Sequence, residues 1–215
     1  IRNALEYCKQ HGARLLFLSS SEIYGDPPAS HVPTLESYRG SVSCRGPRAC
    51  YDESKRLAET LCHIYHGQGV ESVTVRLFNF YGPGMSPTDY RVLPNWRESI
   101  RKGETIRIYG NGNQTRTFCY VTDGIRGCLE ALAHGVSGDV YNIGTPGPEV
   151  SMLELADRLG QVVGKRLDFV RIDHPDTYPA DEPQRRCPDI RKAREHFGFE
   201  PTVSLEDGLR EFMAE

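Results

Sequence analysis

An α/β protein built on a parallel sheet is what this sequence predicts, and three observations carry the prediction. Apolar stretches of strand length alternate with amphipathic stretches of helix length along most of the chain. The connections between them are punctuated by glycine and proline. The composition, 38% hydrophobic and 26% charged over 215 residues, is that of an ordinary globular chain able to bury a substantial core.

The elements follow in order. The chain opens on a helical pattern from Ile1 to Cys8, turns at His11 and Gly12, and enters a strand over 14–19. A polar loop over 26–44 leads to a helix over 51–65, on which Leu57, Leu61 and Tyr65 recur at helical spacing, and Gly67 and Gly69 end it. A strand over 72–78 comes next. Residues 94–102 read as helix, 104–109 as extended chain, 124–134 as helix and 139–143 as strand. A helix over 152–163, a strand over 167–172 and helices over 189–197 and 205–213 close the chain. Gly110 and Gly112 read as a turn, because Gln114, Thr115 and Arg116 follow them with no helix behind.

Charge and composition remove several function classes. A net charge of -3 gives no reason to expect a nucleic-acid partner. No apolar run approaches the ~20 residues of a membrane span, and no charged-then-apolar leader opens the chain, so the expectation is no membrane partner and a cytoplasmic location. Seven cysteines, at 8, 44, 50, 62, 119, 128 and 187, show neither a C-x-x-C pair nor a histidine at ligand spacing. They read as reduced structural thiols, and no metal site is expected. His63 and His66 read as partners of a helix C-terminus.

The chemistry is concentrated in Gly46-Pro47-Arg48-Ala49-Cys50-Tyr51-Asp52-Glu53-Ser54-Lys55, taken with Ser19-Ser20-Ser21-Glu22-Ile23-Tyr24-Gly25 upstream. Tyr51 and Lys55 lie four apart on a helix and so share one face. An ammonium beside a phenol stabilises the phenolate, which brings a tyrosine from about 10 towards the working range of a general base. Hydroxyls at the end of the preceding strand complete a Ser-Tyr-Lys set suited to taking a proton from a substrate alcohol.

These blocks, with Arg76-Leu77-Phe78-Asn79-Phe80-Tyr81-Gly82-Pro83, the run from Tyr109 to Asp123, Tyr141-Asn142-Ile143-Gly144, and Pro183-Gln184-Arg185-Arg186-Cys187-Pro188-Asp189-Ile190, resemble the extended short-chain dehydrogenase/reductases that modify nucleotide sugars. Within that family the pattern is most similar to the branch that decarboxylates UDP-glucuronate. The resemblance implies a Rossmann-like doubly wound parallel sheet with a smaller, interleaved α/β substrate domain. It divides the chain into 1–83 and 118–145 for the Rossmann part, and 84–117 and 146–215 for the substrate domain. The first βαβ unit of the family, with its glycine-rich dinucleotide fingerprint, finds no counterpart here, so the chain reads as a piece of a longer enzyme.

The resemblance also implies NAD as cofactor, a UDP-sugar as substrate and a homodimer formed through the Tyr51 helix, with Leu61, Cys62 and Ile64 as its face. It implies Tyr51 as the base on a sugar C4 hydroxyl, Lys55 as its partner and ligand of the cofactor ribose, and Ser20 as a hydrogen-bonding hydroxyl. Ser19 and Phe78 would border the cofactor. Glu22 would position the sugar and handle a proton, with Arg186 close to the departing carboxylate. Ser21, Asn79, Tyr109, Arg116 and Arg185 or Arg186 would bind the rest of the substrate, guanidinium forks matching a diphosphate. Ser21, where dehydratases of the family carry aspartate, is too weak an acid to expel a C6 hydroxyl, and Glu22 counts against simple epimerisation. Nucleotide-sugar 4-epimerase, 4,6-dehydratase and a non-catalytic nucleotide-sugar-binding fragment are the alternatives. The chain departs from the pattern at Ser20, Ser54 and Gly84, and the run from Gly84 to Val92 lies where a sugar-contacting loop is expected.

Overall fold

A computed structural model of the chain describes residues 1–46, 48–89, 91–173 and 183–214. Ten strands and seven α-helices lie among the described residues. Helix α1 (Arg2–His11) ends on Gly12 at φ 61, a left-handed position suited to glycine. It is followed by β1 (Leu15–Ser20), a 3₁₀ turn (Ser21–Tyr24), and the long connection to α2 (Ala49–His66). Next come β2 (Ser72–Leu77), β3 (Phe80–Tyr81), α3 (Val92–Lys102), β4 (Ile106–Tyr109), β5 (Thr115–Arg116), β6 (Cys119–Tyr120) and α4 (Val121–His134). The remainder is β7 (Val140–Ile143), β8 (Val150–Ser151), α5 (Met152–Val162), β9 (Phe169–Ile172), β10 (Arg185–Arg186), α6 (Arg191–Phe197) and α7 (Leu205–Ala214).

The central sheet has the order β1-β2-β7, all parallel, with Leu15 opposite Ser72 and Ser20 opposite Leu77. Strand β2 reads Ser-Val-Thr-Val-Arg with every one of those residues buried, as a strand covered on both faces should. Its Val73 and Val75 pack with Tyr141 and Ile143 of β7, Ala131 of α4, Ala193 of α6 and Phe199. A larger cluster joins Trp96 of α3, Ile106 and Ile108 of β4, Leu155 and Leu159 of α5, and Leu209 and Phe212 of α7. Ile190, Ala193 and Phe199 pack in the first cluster although the sequence groups them with the second unit.

Three details differ from the sequence reading. Helix α4 starts at Val121, three residues early, because Asp123 is buried at its start and accepts from the Thr202 and Val203 amides at 2.8 Å each. On α2 the buried side chains are Asp52, Ala58, Cys62 and Tyr65, whereas Leu57 is 60% exposed. Cys62 is buried and Leu61 partly buried against Leu5, Cys8 and Val70 beside α1, and of the expected interface residues Ile64 is the most exposed. The seven thiols are unpaired, with Cys44 and Cys50 exposed. Among the described residues no helix is long and apolar enough to cross a membrane.

Candidate active site

The C-terminal end of β1, the start of α2, the loop after β2, α3, β4 and β10 enclose a cavity of about 890 Å3. Parallel sheets place ligands outside the carboxyl ends of their strands, and this cavity obeys that rule. Its wall includes Ser19, Ser20, Ser21, Glu22, Tyr51, Lys55, Asn79, Tyr109, Arg116 and Arg186, ten of the residues expected to act there. The expected sugar loop also contributes, through Met85, Asp89, Arg91 and Val92; Tyr90 of that loop lies outside the described residues.

Tyr51 and Lys55 stand one turn apart on α2. Lys55 Nζ donates to the Leu18 carbonyl at 2.8 Å, which fixes it 5.6 Å from the centre of the Tyr51 ring. Beside them β1 runs out into the 3₁₀ turn, started by Ser20, whose Oγ accepts the Glu22 amide at 3.3 Å. Ser19 is buried and donates to Glu59 at 2.5 Å. Glu59 in turn binds Arg76 through two oxygens, and Arg76 reaches Tyr24 Oη at 2.7 Å, so a buried polar network stands behind the strand end.

Glu22 is gripped by two guanidinium groups. Arg186 bonds both carboxylate oxygens, Oε2 at 2.8 Å, and Arg48 reaches Oε2 at 2.5 Å. Burial alone would push this carboxyl up, but Arg186, Arg48 and Arg116 together hold it below its ordinary value, so it is an anion at neutral pH. Arg116 is buried and donates to the carbonyls of Thr115 and Pro183, at 2.8 Å and 2.5 Å. Asn79 takes φ 45, a left-handed conformation that asparagine tolerates better than most residues, and its amide donates to the Thr117 carbonyl at 2.8 Å. Among the described lining residues the bases are Arg48, Lys55, Arg91, Arg107, Arg116 and Arg186, against the acids Glu22 and Asp89. That excess attracts a polyanionic ligand.

Two expected residues lie elsewhere. Arg185 is not in the cavity wall; its guanidinium binds both oxygens of Glu149, at 2.9 Å and 2.6 Å. Successive residues of a strand face opposite sides, so of the doubled arginine only Arg186 turns inward. Phe78 is 1% exposed and packs with Ile23 and Tyr24 behind the wall, which Leu77, Asn79 and Phe80 form instead. Conversely, Arg48 stands in the cavity wall and Asp52 close to Glu22 behind it, without either having been assigned a role. Both lie in the block around Tyr51, and their relation to Glu22 is visible only in three dimensions.

The end of the cavity that meets β1 suits a dinucleotide's nicotinamide ribose. Strand β1 is the edge of its sheet, Tyr51 is 45% exposed, and Lys55 spends one N–H on Leu18 while retaining donors suited to ribose hydroxyls.

Residues 1–144 match the NAD dependent epimerase/dehydratase family. The chain is 45% identical to UDP-glucuronic acid decarboxylase 1 of Xenopus tropicalis over 208 residues, which cover 96% of this chain and 48% of that one. It is 42% identical to UDP-glucuronic acid decarboxylase 6 of Arabidopsis thaliana, covering 96% and 58%. The chain thus spans about half the length of these relatives. The structure superposes on UDP-glucose 4-epimerase of Thermotoga maritima, solved with UDP-glucose, with a TM-score of 0.87 at 27% identity, covering 98% of this chain and 65% of that one. On a UDP-glucuronic acid 4-epimerase of Bacillus cereus, solved with a fluorinated UDP-glucuronic acid and NAD, the TM-score is 0.85 at 28% identity, covering 98% and 63%.

Proposed function

Because the chain belongs to the NAD dependent epimerase/dehydratase family, we propose that it supplies the substrate-handling part of a UDP-glucuronate decarboxylase that forms UDP-xylose. The observation that carries this reading is the ionised Glu22 held between Arg186 and Arg48 in the same cavity as Tyr51 and Lys55. The decarboxylase relatives at 42–45% identity support it. UDP-glucuronate brings two diphosphate charges and one carboxylate to a wall rich in cations, where Arg116 and Asn79 would bind the diphosphate and Tyr109 would border the nucleoside.

Tyr51 takes the proton of the C4 hydroxyl, with Lys55 stabilising the phenolate and Ser20 fixing the hydroxyl. NAD, which Tyr51 and Lys55 would hold at the β1 end of the cavity, would supply a hydride acceptor for C4 that becomes the donor at the end of the turnover, with no net redox change. The 4-keto sugar is a β-keto acid and loses carbon dioxide, its bond pair passing to the C4 oxygen beside Tyr51 and Ser20. Arg186 and Arg48 balance the charge of the carboxylate as it enters and leaves, and Glu22 keeps both in place. Ser21 offers no acid for a C6 hydroxyl, which favours decarboxylation over dehydration. The test is to supply the complete gene product with UDP-glucuronate deuterated at C4. UDP-xylose that retains the deuterium is expected; UDP-xylose without it would remove the transient oxidation, and absence of UDP-xylose would remove the reading.

The same reading places α1 and α2 at a homodimer interface, with exposed Tyr7, Leu57 and Ile64 as its apolar contacts. It locates the enzyme in the cytoplasm, where seven unpaired cysteines stay reduced.

A further inference from the structure

Decarboxylation consumes a proton. Carbon dioxide leaves its bond pair behind, and C5 must gain a proton before the ketone is reduced. Tyr51 only borrows the C4 hydroxyl proton and gives it back. The C5 proton therefore comes from water, into a site that the bound sugar covers.

A second void, of about 20 Å3, shares Glu22 and Arg48 with the wall of the main cavity. It is bounded by buried Asp52 on one side and by the exposed segment carrying Ser41, Ser43 and Arg45 on the other. One water needs roughly 10–15 Å3 and two or more polar partners, both of which this void offers. Asp52 is 8% exposed, and its Oδ1 has no hydrogen-bond partner among the described residues. Gly25 closes the wall: it sits at φ 61, and a side chain there would meet the Ser41 carbonyl at 1.9 Å.

Glu22 cannot itself be the donor, because Arg186 and Arg48 hold it ionised. Asp52 is shifted in the other direction. Burial first, and the Glu22 charge second, push its carboxyl up; Glu53 adds to the rise, and Arg48 and Arg186 oppose it.

We propose that Asp52 and one water in this void relay a proton from solvent at the Ser43 side to the Glu22 end of the main cavity, for delivery to C5. The inference rests on the decarboxylase reading. The Asp52 O–H bond breaks as its proton passes to the water, the water gives up a proton, and the C5–H bond forms with the pair left by carbon dioxide. Solvent then reprotonates Asp52. One proton is consumed per turnover, as the overall reaction requires.

The experiment is a single turnover of the complete gene product with UDP-glucuronate, following carbon dioxide and UDP-xylose separately, in wild type, Asp52→Asn and Ser43→Leu. Asparagine keeps the shape of Asp52 and cannot pass a proton. Leucine at exposed Ser43, whose hydroxyl bonds the Arg45 backbone, covers the mouth of the void without touching the core. In Asp52→Asn, carbon dioxide is expected at the wild-type rate while UDP-xylose lags by about tenfold to a hundredfold, the scale of a lost proton donor. Deuterated solvent should lengthen the lag. If the asparagine variant does not fold, a lag in Ser43→Leu carries the same support. UDP-xylose in step with carbon dioxide in both variants, or an equal slowing of the two products, overturns the relay. A wild-type protein that releases no carbon dioxide overturns the decarboxylase reading itself, and the relay with it.

Discussion

Replacing Arg186 by methionine removes one partner of a buried pair and leaves the other behind. Side-chain exposure is 10% for Arg186 and 15% for Glu22, and both carboxylate oxygens are bonded. Removing one member of such a pair costs about 3–5 kcal/mol, most of it from the stranded charge. Here Arg48 stays within 2.5 Å of Glu22 Oε2 and is a third exposed, so Glu22 is not left alone. The expected loss is therefore near the lower end, about 3 kcal/mol. With a urea dependence of about 2–3 kcal/mol/M, the unfolding midpoint falls by about 1–1.5 M. Adding Glu22→Gln to Arg186→Met removes the stranded charge and should recover at least half of that shift, so the pair is tested by a double-mutant cycle. A shift below about 0.3 M for Arg186→Met, or a double variant no more stable than the single one, would refute the reasoning.

Three further outcomes are expected. Tyr51→Phe should lower turnover by at least ~100-fold while UDP affinity measured by calorimetry is unchanged, since the phenol acts on the sugar and not on the nucleotide. Arg185→Met should keep turnover near wild type and cost about 1 kcal/mol, because in its Glu149 pair the Arg185 side chain is 40% exposed; a loss like that of Arg186→Met would show that the two arginines had been interchanged. Glu22, whose carboxyl lies below its ordinary value of 4.5, contributes stability that is present above that value and is lost as pH falls through the lower folded one. Asp52, raised above 3.8, has the opposite sign, its contribution present at low pH and lost as pH rises through the folded value. Melting curves across acidic pH should therefore show Glu22→Gln losing part of the acid-side decline, and Asp52→Asn gaining most relative to wild type at neutral pH.

The strand and helix order was legible because β1 opens on an apolar run, β2 alternates Val73, Val75 and Leu77 with polar residues, β7 carries Val140, Tyr141 and Ile143, and the helices repeat at 3.6 residues. Strands of two residues, such as β5 and β10, have no period to read and exist only through their pairing, Arg185 with Thr115 and Arg186 with Arg116. On α2 the helical spacing includes Leu57, while the structure exposes it and buries Ala58 and Cys62, the latter against α1. The start of α4 depends on Asp123 meeting residues from the far end of the chain, which no local pattern announces. At the site, Tyr51 and Lys55 were readable from their spacing, and Glu22 from the family resemblance. The doubled arginine was not, since its two members differ only in which face of β10 they take. Arg48 and Asp52 were hidden in plain sequence, because their significance comes from Glu22 folding back over the start of α2.

The most direct measurement is carbon dioxide release from carboxyl-labelled UDP-glucuronate by the complete gene product, with the nucleotide-sugar product identified in the same sample. The account predicts one labelled carbon dioxide for each UDP-xylose formed. Label that stays in a UDP-sugar acid, epimerised or unchanged, would contradict it.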